Sequence, residues 1–211
     1  MAIVQNPIIG RSKGSFGNAV FSKWKGKNTL RSKALEVANP QTDLQMKQRA
    51  KFAILVALYR QFAGIFKAGF RELAVGMSEF NAFQSANLKN SFLSWSGSSW
   101  VPNFGALVVA KGSLDVTDFV SVVGSHGNST INIVFPSTVT GNQSNGDDIR
   151  VLVVKDNSDE IAVVNTSRSA GSVAVGLPTA AANGDTYHCY IFAISPDGRK
   201  VSDSQYHLLA V

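Results

Sequence analysis

The chain has 211 residues, of which 45% are hydrophobic, and this is enough for a buried core in one large domain or two small ones. Its 20 Lys and Arg residues against 14 Asp and Glu residues give a net charge of +6, and its single cysteine, Cys189, excludes an internal disulfide framework. Arg60, Lys67 and Arg71 interrupt the most apolar stretch, so we expect no transmembrane segment. The N-terminus lacks the pattern of a secretory signal, so we expect a location in a virion or in the cytoplasm.

The charge is divided unevenly along the chain. Residues 1–80 carry 13 basic and 4 acidic side chains, whereas residues 81–211 carry 7 basic and 10 acidic ones. No acidic residue precedes Glu36, but seven basic residues do: Arg11, Lys13, Lys23, Lys25, Lys27, Arg31 and Lys33. Such a segment attracts polyanions, including nucleic acid, anionic lipid or an acidic protein face. The alternatives are that it is simply solvated, or that it docks on the acidic half of a neighbouring copy.

Residues 1–38 are predicted to form a basic, glycine-rich arm and a β-hairpin. Three glycines within residues 1–17 favour an extended chain over a helix there. Two candidate strands follow at residues 18–25 and 29–35, joined by a turn at residues 26–28. An isolated hairpin is only marginally stable in water, so we expect this one to need a partner surface on this chain or on another molecule.

Residues 39–94 are predicted to form a helical hairpin. Thr42 or Asp43 can cap a first helix that extends to about residue 75. One side of this helix is apolar: Leu55, Leu58, Tyr59, Phe62, Ile65, Phe66, Phe70 and Leu73. The opposite side is basic: Arg49, Arg60, Lys67 and Arg71. Gly64 and Gly69 predict a break or bend, and a second helix at residues 77–92 would cover the first.

Residues 95–105 have the composition of a linker, in which we expect Trp95 and Trp100 to fill a junction between the two halves of the chain. Short β runs separated by turn signals follow within residues 106–211: 106–110, 119–123, 129–135, 149–155, 160–165, 172–176, 186–194 and 201–208. This pattern predicts an all-β sandwich, immunoglobulin-like or fibronectin-III-like, and the lack of a Cys…Trp…Cys spacing favours the fibronectin-like variant. The expected fold class is therefore α+β, with the sandwich following the basic arm and the αα-hairpin.

The sequence contains no constellation of residues suited to catalysis. The histidines all fall in the predicted β region: His126, His188 and His207. His188 and Cys189 are neighbours on a strand, where successive side chains point to opposite faces, so we expect one to be buried and the other exposed. The acidic pairs are interpreted as solvated loop charges: Asp147-Asp148 and Asp159-Glu160. No metal-ligand spacing or phosphate-binding fingerprint is present, so we expect no enzyme activity, cofactor or metal.

The positive signal lies in the predicted hairpin. Trp24 stands among Lys23, Lys25, Lys27 and Arg31. Single-strand binders use such a combination, because the ring stacks on bases while the cations contact phosphates. The alternative is that Trp24 packs on the helices while the lysines keep the hairpin soluble.

A specific pattern covers nearly the whole chain, and it is carried by these segments: Asn6-Pro7-Ile8-Ile9-Gly10, Gly14, Gly17-Asn18, Val20-Phe21-Ser22-Lys23-Trp24-Lys25-Gly26, Arg31-Ser32-Lys33, Asn39-Pro40, Thr42, Gln45, Arg49-Ala50-Lys51-Phe52 and residues 198–206. With these segments the chain resembles an uncharacterised protein family found mainly in Bacteroidota. A looser form of the pattern resembles small proteins encoded among phage and prophage structural genes. The resemblance implies no catalytic residues.

The sequence is compatible with two functions from different classes. The first is a non-enzymatic structural or assembly protein, virion-associated, which forms a homo-oligomer or binds other structural subunits through its basic arm and amphipathic helix. The second is a nucleic-acid-binding protein that contacts DNA through the basic hairpin. Both functions use the same candidate contact residues: Lys23, Trp24, Lys25, Lys27, Arg31, Lys33, Arg49, Arg60, Lys67 and Arg71. An enzyme acting on carbohydrate or peptide would rest on the sandwich alone, and a fold does not specify a function.

Overall fold

The computed structural model of the chain describes residues 2–3, 13–34, 36, 39–156, 158 and 160–211, with only the backbone described for residues 2 and 3. The predictions for residues 4–12 of the arm, for Leu35 and for Asp159 lie outside the described residues. The fold class is α+β, and in the described part of the chain three α-helices accompany several antiparallel sheets, with more residues in strands than in helices. The chain divides into two compact units, Met1–Met46 and Lys47–Val211.

A four-stranded antiparallel sheet forms the N-terminal unit. In the spatial order β1-β4-β3-β2, its strands are β1 (Ala2–Ile3), β4 (Lys27–Ser32), β3 (Ala19–Trp24) and β2 (Gly14–Phe16). The predicted hairpin is therefore the centre of a wider sheet, and the arm itself supplies the two outer strands.

The turn of the hairpin differs from the prediction of residues 26–28. It consists of two residues, Lys25 and Gly26, with φ angles of 48° and 82°. Two consecutive positive φ angles define a type I′ turn, whose twist matches that of the flanking strands. Glycine at the second position adopts the positive φ angle without strain. Because the turn is shorter than predicted, Lys27 belongs to the second strand and lies opposite Trp24.

The first helical segment is bent, as the two glycines predicted. Helix α1 (Asp43–Gln61) and helix α2 (Ala63–Gly69) lie 96° apart, so the expectation of a helix to about residue 75 is wrong. Thr42 caps α1, because its Oγ1 accepts a hydrogen bond from the Gln45 N–H at 3.4 Å. Helix α3 (Glu79–Lys89) follows. No single helix among the described residues is long and apolar enough to cross a membrane, although α1 and α2 taken together meet that test by length and composition.

The described residues of the second unit form sheets of two, three and four strands. The two-stranded sheet is a hairpin of β5 (Leu93–Trp95) and β6 (Trp100–Pro102), in a segment that was predicted to be a linker. The three-stranded sheet has the order β11-β8-β7: β11 (Ser172–Gly176), β8 (Thr130–Val134) and β7 (Ser121–Gly124). The four-stranded sheet has the order β10-β9-β12-β13: β10 (Ile161–Ser167), β9 (Asp148–Lys155), β12 (Thr186–Ile194) and β13 (Gln205–Ala210).

Six of the predicted β runs correspond to the strands β7 to β12, and the other two need correction. Residues 106–110 do not form a strand; the 3-10 turn Phe104–Ala106 occupies the beginning of that stretch. The last strand begins at Gln205, whereas the prediction began at residue 201, because Val201 and Ser202 form only isolated bridges.

The four-stranded sheet is covered on both faces. One face shares a buried core with the three-stranded sheet: Ile131, Ile133, Val175, Val151, Val153, Cys189 and Ile191. The other face shares a buried core with the helices: Leu55, Phe66, Phe70, Phe83, Leu152, Val154, Tyr190 and Phe192. Successive residues of β9 and β12 therefore enter different cores, and each strand contains an uninterrupted apolar run, Val151–Val154 in β9 and Cys189–Ile194 in β12.

Candidate interaction surface

The hairpin tip of the N-terminal unit brings Trp24 together with two lysines. Trp24 and Lys27 are opposite residues of β3 and β4, so their side chains lie on the same face of the sheet. Lys25, in the turn, places its Nζ 5.3 Å from the centroid of the indole ring. The Trp24 side chain is nonetheless 64% exposed. The tip therefore presents an aromatic ring and two ammonium groups to the solvent.

The other predicted contact residues of this unit lie on the other face of the sheet from Trp24 or away from the hairpin tip. Arg31 lies opposite Val20, on the same face as Trp24 but at the far end of β4. Lys23 lies on the other face, and the backbone N–H of Lys33, just beyond β4, donates to the Asn18 carbonyl at 2.7 Å. All three side chains are exposed, and none of them forms an ion pair with a carboxylate in the described part of the chain.

The N-terminal sheet has little apolar burial of its own. Among its described side chains Thr29 alone is buried, and Thr29 is held by polar contacts, with its Oγ1 2.7 Å from the Ser22 Oγ. The apolar side chains in the middle of the sheet are half-buried, and Phe16 in β2 is 83% exposed. Neither hydrophobic core includes any of the described side chains of this unit. The described apolar side chains of the sheet are thus only partly covered.

The bend between α1 and α2 breaks up the predicted basic stripe. Arg49 and Arg60 lie on α1, Lys67 lies on α2, and Arg71 lies just beyond α2. The four side chains are exposed, but the expectation that they share one helix face is wrong, because it assumed a single straight helix.

Trp95 and Trp100, which were expected to fill a junction within a linker, form a second aromatic cluster on a β-hairpin instead. Trp95 and Trp100 form an edge-to-face pair across the β5–β6 hairpin, with ring centroids 5.4 Å apart. The Trp100 Nε1 donates to the Lys47 carbonyl of α1 at 2.9 Å, and Lys51 donates to the Leu88 carbonyl of α3 at 2.8 Å. The Lys47 Nζ also lies 4.7 Å from the Trp95 ring centroid. The two contacts of Lys47 fix the hairpin on α1 and the Lys51 bond joins α1 to α3, so the cluster is structural. The two tryptophans flanking a Ser-Gly-Ser-Ser segment were the available signal for a hairpin.

The acidic pair Asp147-Asp148 does not consist of solvated loop charges as predicted. Asp148 pairs with the half-exposed Arg150, whereas Asp147 is fully buried and accepts a hydrogen bond from the Arg168 Nε at 3.0 Å. Arg168 is fully buried too, and its Nη2 donates to the Thr117 Oγ1 at 2.7 Å. The prediction failed because the partner of Asp147 is remote in sequence.

His188 and Cys189 are both buried, which corrects the expectation that one would be exposed. They do point to opposite faces of β12, but each face is covered. Cys189 lies in the core between the sheets, where burial raises the pKa of its thiol to about 12. His188 stacks on Phe104 and contacts the Tyr206 hydroxyl through Nδ1 at 2.9 Å. Burial lowers its pKa, although Asp156 acts in the opposite direction. Because its thiol stays protonated at neutral pH, the buried Cys189 is not suited to act as a nucleophile.

No group of three or more His, Cys, Asp and Glu side chains suited to a metal ion occurs in the part of the chain that the structure describes.

The family model for "Family of unknown function (DUF6266)" matches residues 11–208. The chain belongs to this family. Searches of curated proteins and of solved structures find no match. Membership of DUF6266 confirms the resemblance to an uncharacterised family, and it assigns no activity to any residue.

Proposed function

We propose that this DUF6266 protein is a non-enzymatic assembly protein that self-associates through its N-terminal sheet. The observation that carries the proposal is the incomplete burial of that sheet, which has no buried apolar side chain among its described residues. A sheet gains stability by burying one face against a second layer, and a neighbouring subunit can supply that layer. Phe16 and Trp24, the most exposed aromatic residues of the chain, would be the anchors of the contact.

Light scattering after size-exclusion chromatography, over a range of protein concentrations, tests self-association. We expect the full chain to form an oligomer, and we expect Phe16→Ser and Trp24→Ser each to raise the midpoint concentration for assembly by about tenfold or more, because buried aromatic side chains dominate interface energies. Val75→Ser is the matched control, since Val75 is 85% exposed and lies in the second unit. A chain that is monomeric at every concentration, or three variants with equal effects, would contradict the proposal.

Nucleic-acid binding is the second candidate, and the hairpin tip favours it. Trp24 offers a ring face for base stacking, and Lys25 and Lys27 lie beside it to contact phosphates. The same variants separate the two functions. A monomer that binds single-stranded DNA in a salt-dependent manner, and loses this binding on Trp24→Ser but not on Val75→Ser, would replace assembly with nucleic-acid binding.

For the second unit we propose the finer assignment of a fibronectin-III-like sandwich. Of the seven strands β7 to β13 of this unit, the first, second and fifth form one sheet and the other four form the second sheet. The shared core of the two sheets and this division of strands support the assignment. Association with a virion is likewise a proposal, and it rests on the resemblance to phage structural proteins alone.

A further inference from the structure

A half-buried arginine lies on the helix-covered face of the four-stranded sheet. The side chains of β9 that point to the helices are alternate residues, and Leu152 and Val154 among them are buried in the core. Arg150 is the next residue on this face, opposite Phe192 on β12 and opposite Asn165 on β10. An arginine in this row, where its neighbours are covered by the helices, requires solvent, a charged partner or a ligand for its guanidinium group, and Asp148 bonds only its Nε.

Two adjoining clefts meet at Arg150. The first, of about 310 Å³, lies beside the C-terminal end of α2, and its walls include Arg71, Arg150 and Asp148 over the apolar side chains of Ala68 and Ile194. The second, also of about 310 Å³, lies beside the N-terminal end of α2 and has a mixed lining, with Gln61 and Asn165 among its polar residues. Its lining includes Phe62, Ile65, Ile161 and Val163. Arg150 is the side chain common to both clefts.

The geometry leaves both guanidinium groups able to bind an anion. The Arg150 Nε donates to the Asp148 Oδ2 at 3.0 Å, which fixes the plane of the guanidinium, while its two terminal nitrogens have no hydrogen-bond partner among the described residues. The Arg71 Nη1 makes one long bond of 3.5 Å to the Gly198 carbonyl. A guanidinium group binds carboxylate or phosphate through two parallel N–H groups, and Asp148 offsets only one of the two positive charges.

We propose that this place is a binding site for a small organic anion, whose phosphate or carboxylate group lies between Arg71 and Arg150. The apolar part of the ligand extends into the second cleft, against Ile161 and Val163, the latter of which is an exposed apolar side chain. This site lies in the second unit, so it does not depend on the assembly function proposed for the N-terminal sheet.

An NMR titration of the ¹⁵N-labelled full chain tests the site, with inorganic phosphate, phenyl phosphate and benzoate as the probes. We expect saturable shifts of the Arg150 and Arg71 side-chain N–H signals. We also expect at least one aromatic probe to bind more tightly than inorganic phosphate, because its ring contacts the apolar side chains of the second cleft. The comparison of phenyl phosphate with benzoate identifies which anionic group the arginines prefer. The absence of saturable shifts with all three probes would overturn the proposal.

Substitutions distinguish a site from general attraction to a positive surface. Arg150→Gln and Arg71→Gln should each weaken binding by about tenfold or more, as expected for loss of charge-assisted hydrogen bonds. Val163→Ser should weaken the aromatic probes and leave inorganic phosphate unchanged. Lys67→Gln is the control, because Lys67 is an exposed cation of α2 that lines neither cleft. Equal weakening by Lys67→Gln in folded variants, as judged from their backbone spectra, would contradict the proposal.

Discussion

At the scale of single residues, the buried pair of Arg168 and Asp147 links three separate loops. Asp147 precedes β9, Arg168 follows β10, and Thr117, which accepts a hydrogen bond from Arg168, precedes β7. The Asp147 Oδ2 also accepts a hydrogen bond from the Ser144 N–H at 2.9 Å. A buried ion pair adds little net stability, because its attraction is offset by the cost of removing both charges from water. Removal of one partner is strongly destabilising, because the remaining charge is then buried without a counter-charge.

Arg168→Met should therefore lower the free energy of unfolding by about 3–5 kcal/mol, because it leaves the Asp147 carboxylate buried and unpaired. The double variant Arg168→Met/Asp147→Leu should be clearly more stable than that single variant. Urea denaturation measures both. Arg199→Met is the control, and we expect it to change stability by less than about 0.5 kcal/mol, since its contact with Asp197 is long and exposed. A double variant no more stable than Arg168→Met would contradict coupling between the two charges.

The environment of Asp147 could not be predicted from the sequence, since it depends on strand register. Asp147 and Asp148 are adjacent in the chain, yet Asp148 is partly exposed while Asp147 is fully buried. The pairing of Asp148 with Ser167 in β9 and β10 is what brings Arg168 next to Asp147. Local composition contains no information about that register. Trp24 was different, because its position at a hairpin tip followed from local alternation and a nearby glycine.

At the scale of elements, the sequence predicted that the first helical segment bends, but it did not predict the angle between α1 and α2. Two glycines close together indicated the break, and Phe62 between the helices has φ −112° and ψ 27°, outside the helical range. The angle of 96° depends on packing, because α2 turns to cover the sheet with Ile65 and Phe66. The two glycines also have different surroundings, which the sequence could not distinguish.

Alanine substitutions at Gly64 and Gly69 should have effects of opposite sign. A Cβ at Gly64 would meet nothing within 4 Å, so Gly64→Ala should stabilise the protein by about 0.5–1 kcal/mol through helix propensity. A Cβ at Gly69 would lie 2.5 Å from the Val109 carbonyl oxygen, so Gly69→Ala should destabilise it by about 1–3 kcal/mol. Thermal unfolding measures the two changes, and each variant serves as the control of the other. Two shifts of the same sign would show that the backbone does not approach α2 in this way.

At the scale of the whole molecule, the four-stranded sheet organises the second unit because both of its faces are buried. The sequence contained this information, since β9 and β12 lack the polar alternation of a sheet with one wet face. Alternation was assumed when His188 was expected to differ from Cys189 in exposure, and that assumption produced the error. The apolar stripe of the first helix indicated correctly that the helices would bury one side. Its partner, the sheet, could be recognised only from the structure.

The location of the two cores predicts how the chain responds to truncation. Every described buried residue of the two cores lies at or beyond Leu55, so the described side chains of the N-terminal sheet are not part of them. A fragment of residues 39–211, which retains the Thr42 cap of α1, should therefore keep a cooperative thermal transition within a few degrees of that of the full chain. Residues 1–38 alone should show no cooperative transition, because a small sheet with no buried apolar side chain among its described residues has little to offset its conformational entropy. Differential scanning calorimetry of the two fragments and the full chain, each below its assembly concentration, measures the transitions. Loss of the transition in residues 39–211 would mean that the N-terminal sheet is part of the folding unit, and the proposed role of that sheet as an assembly surface would then lose its main support.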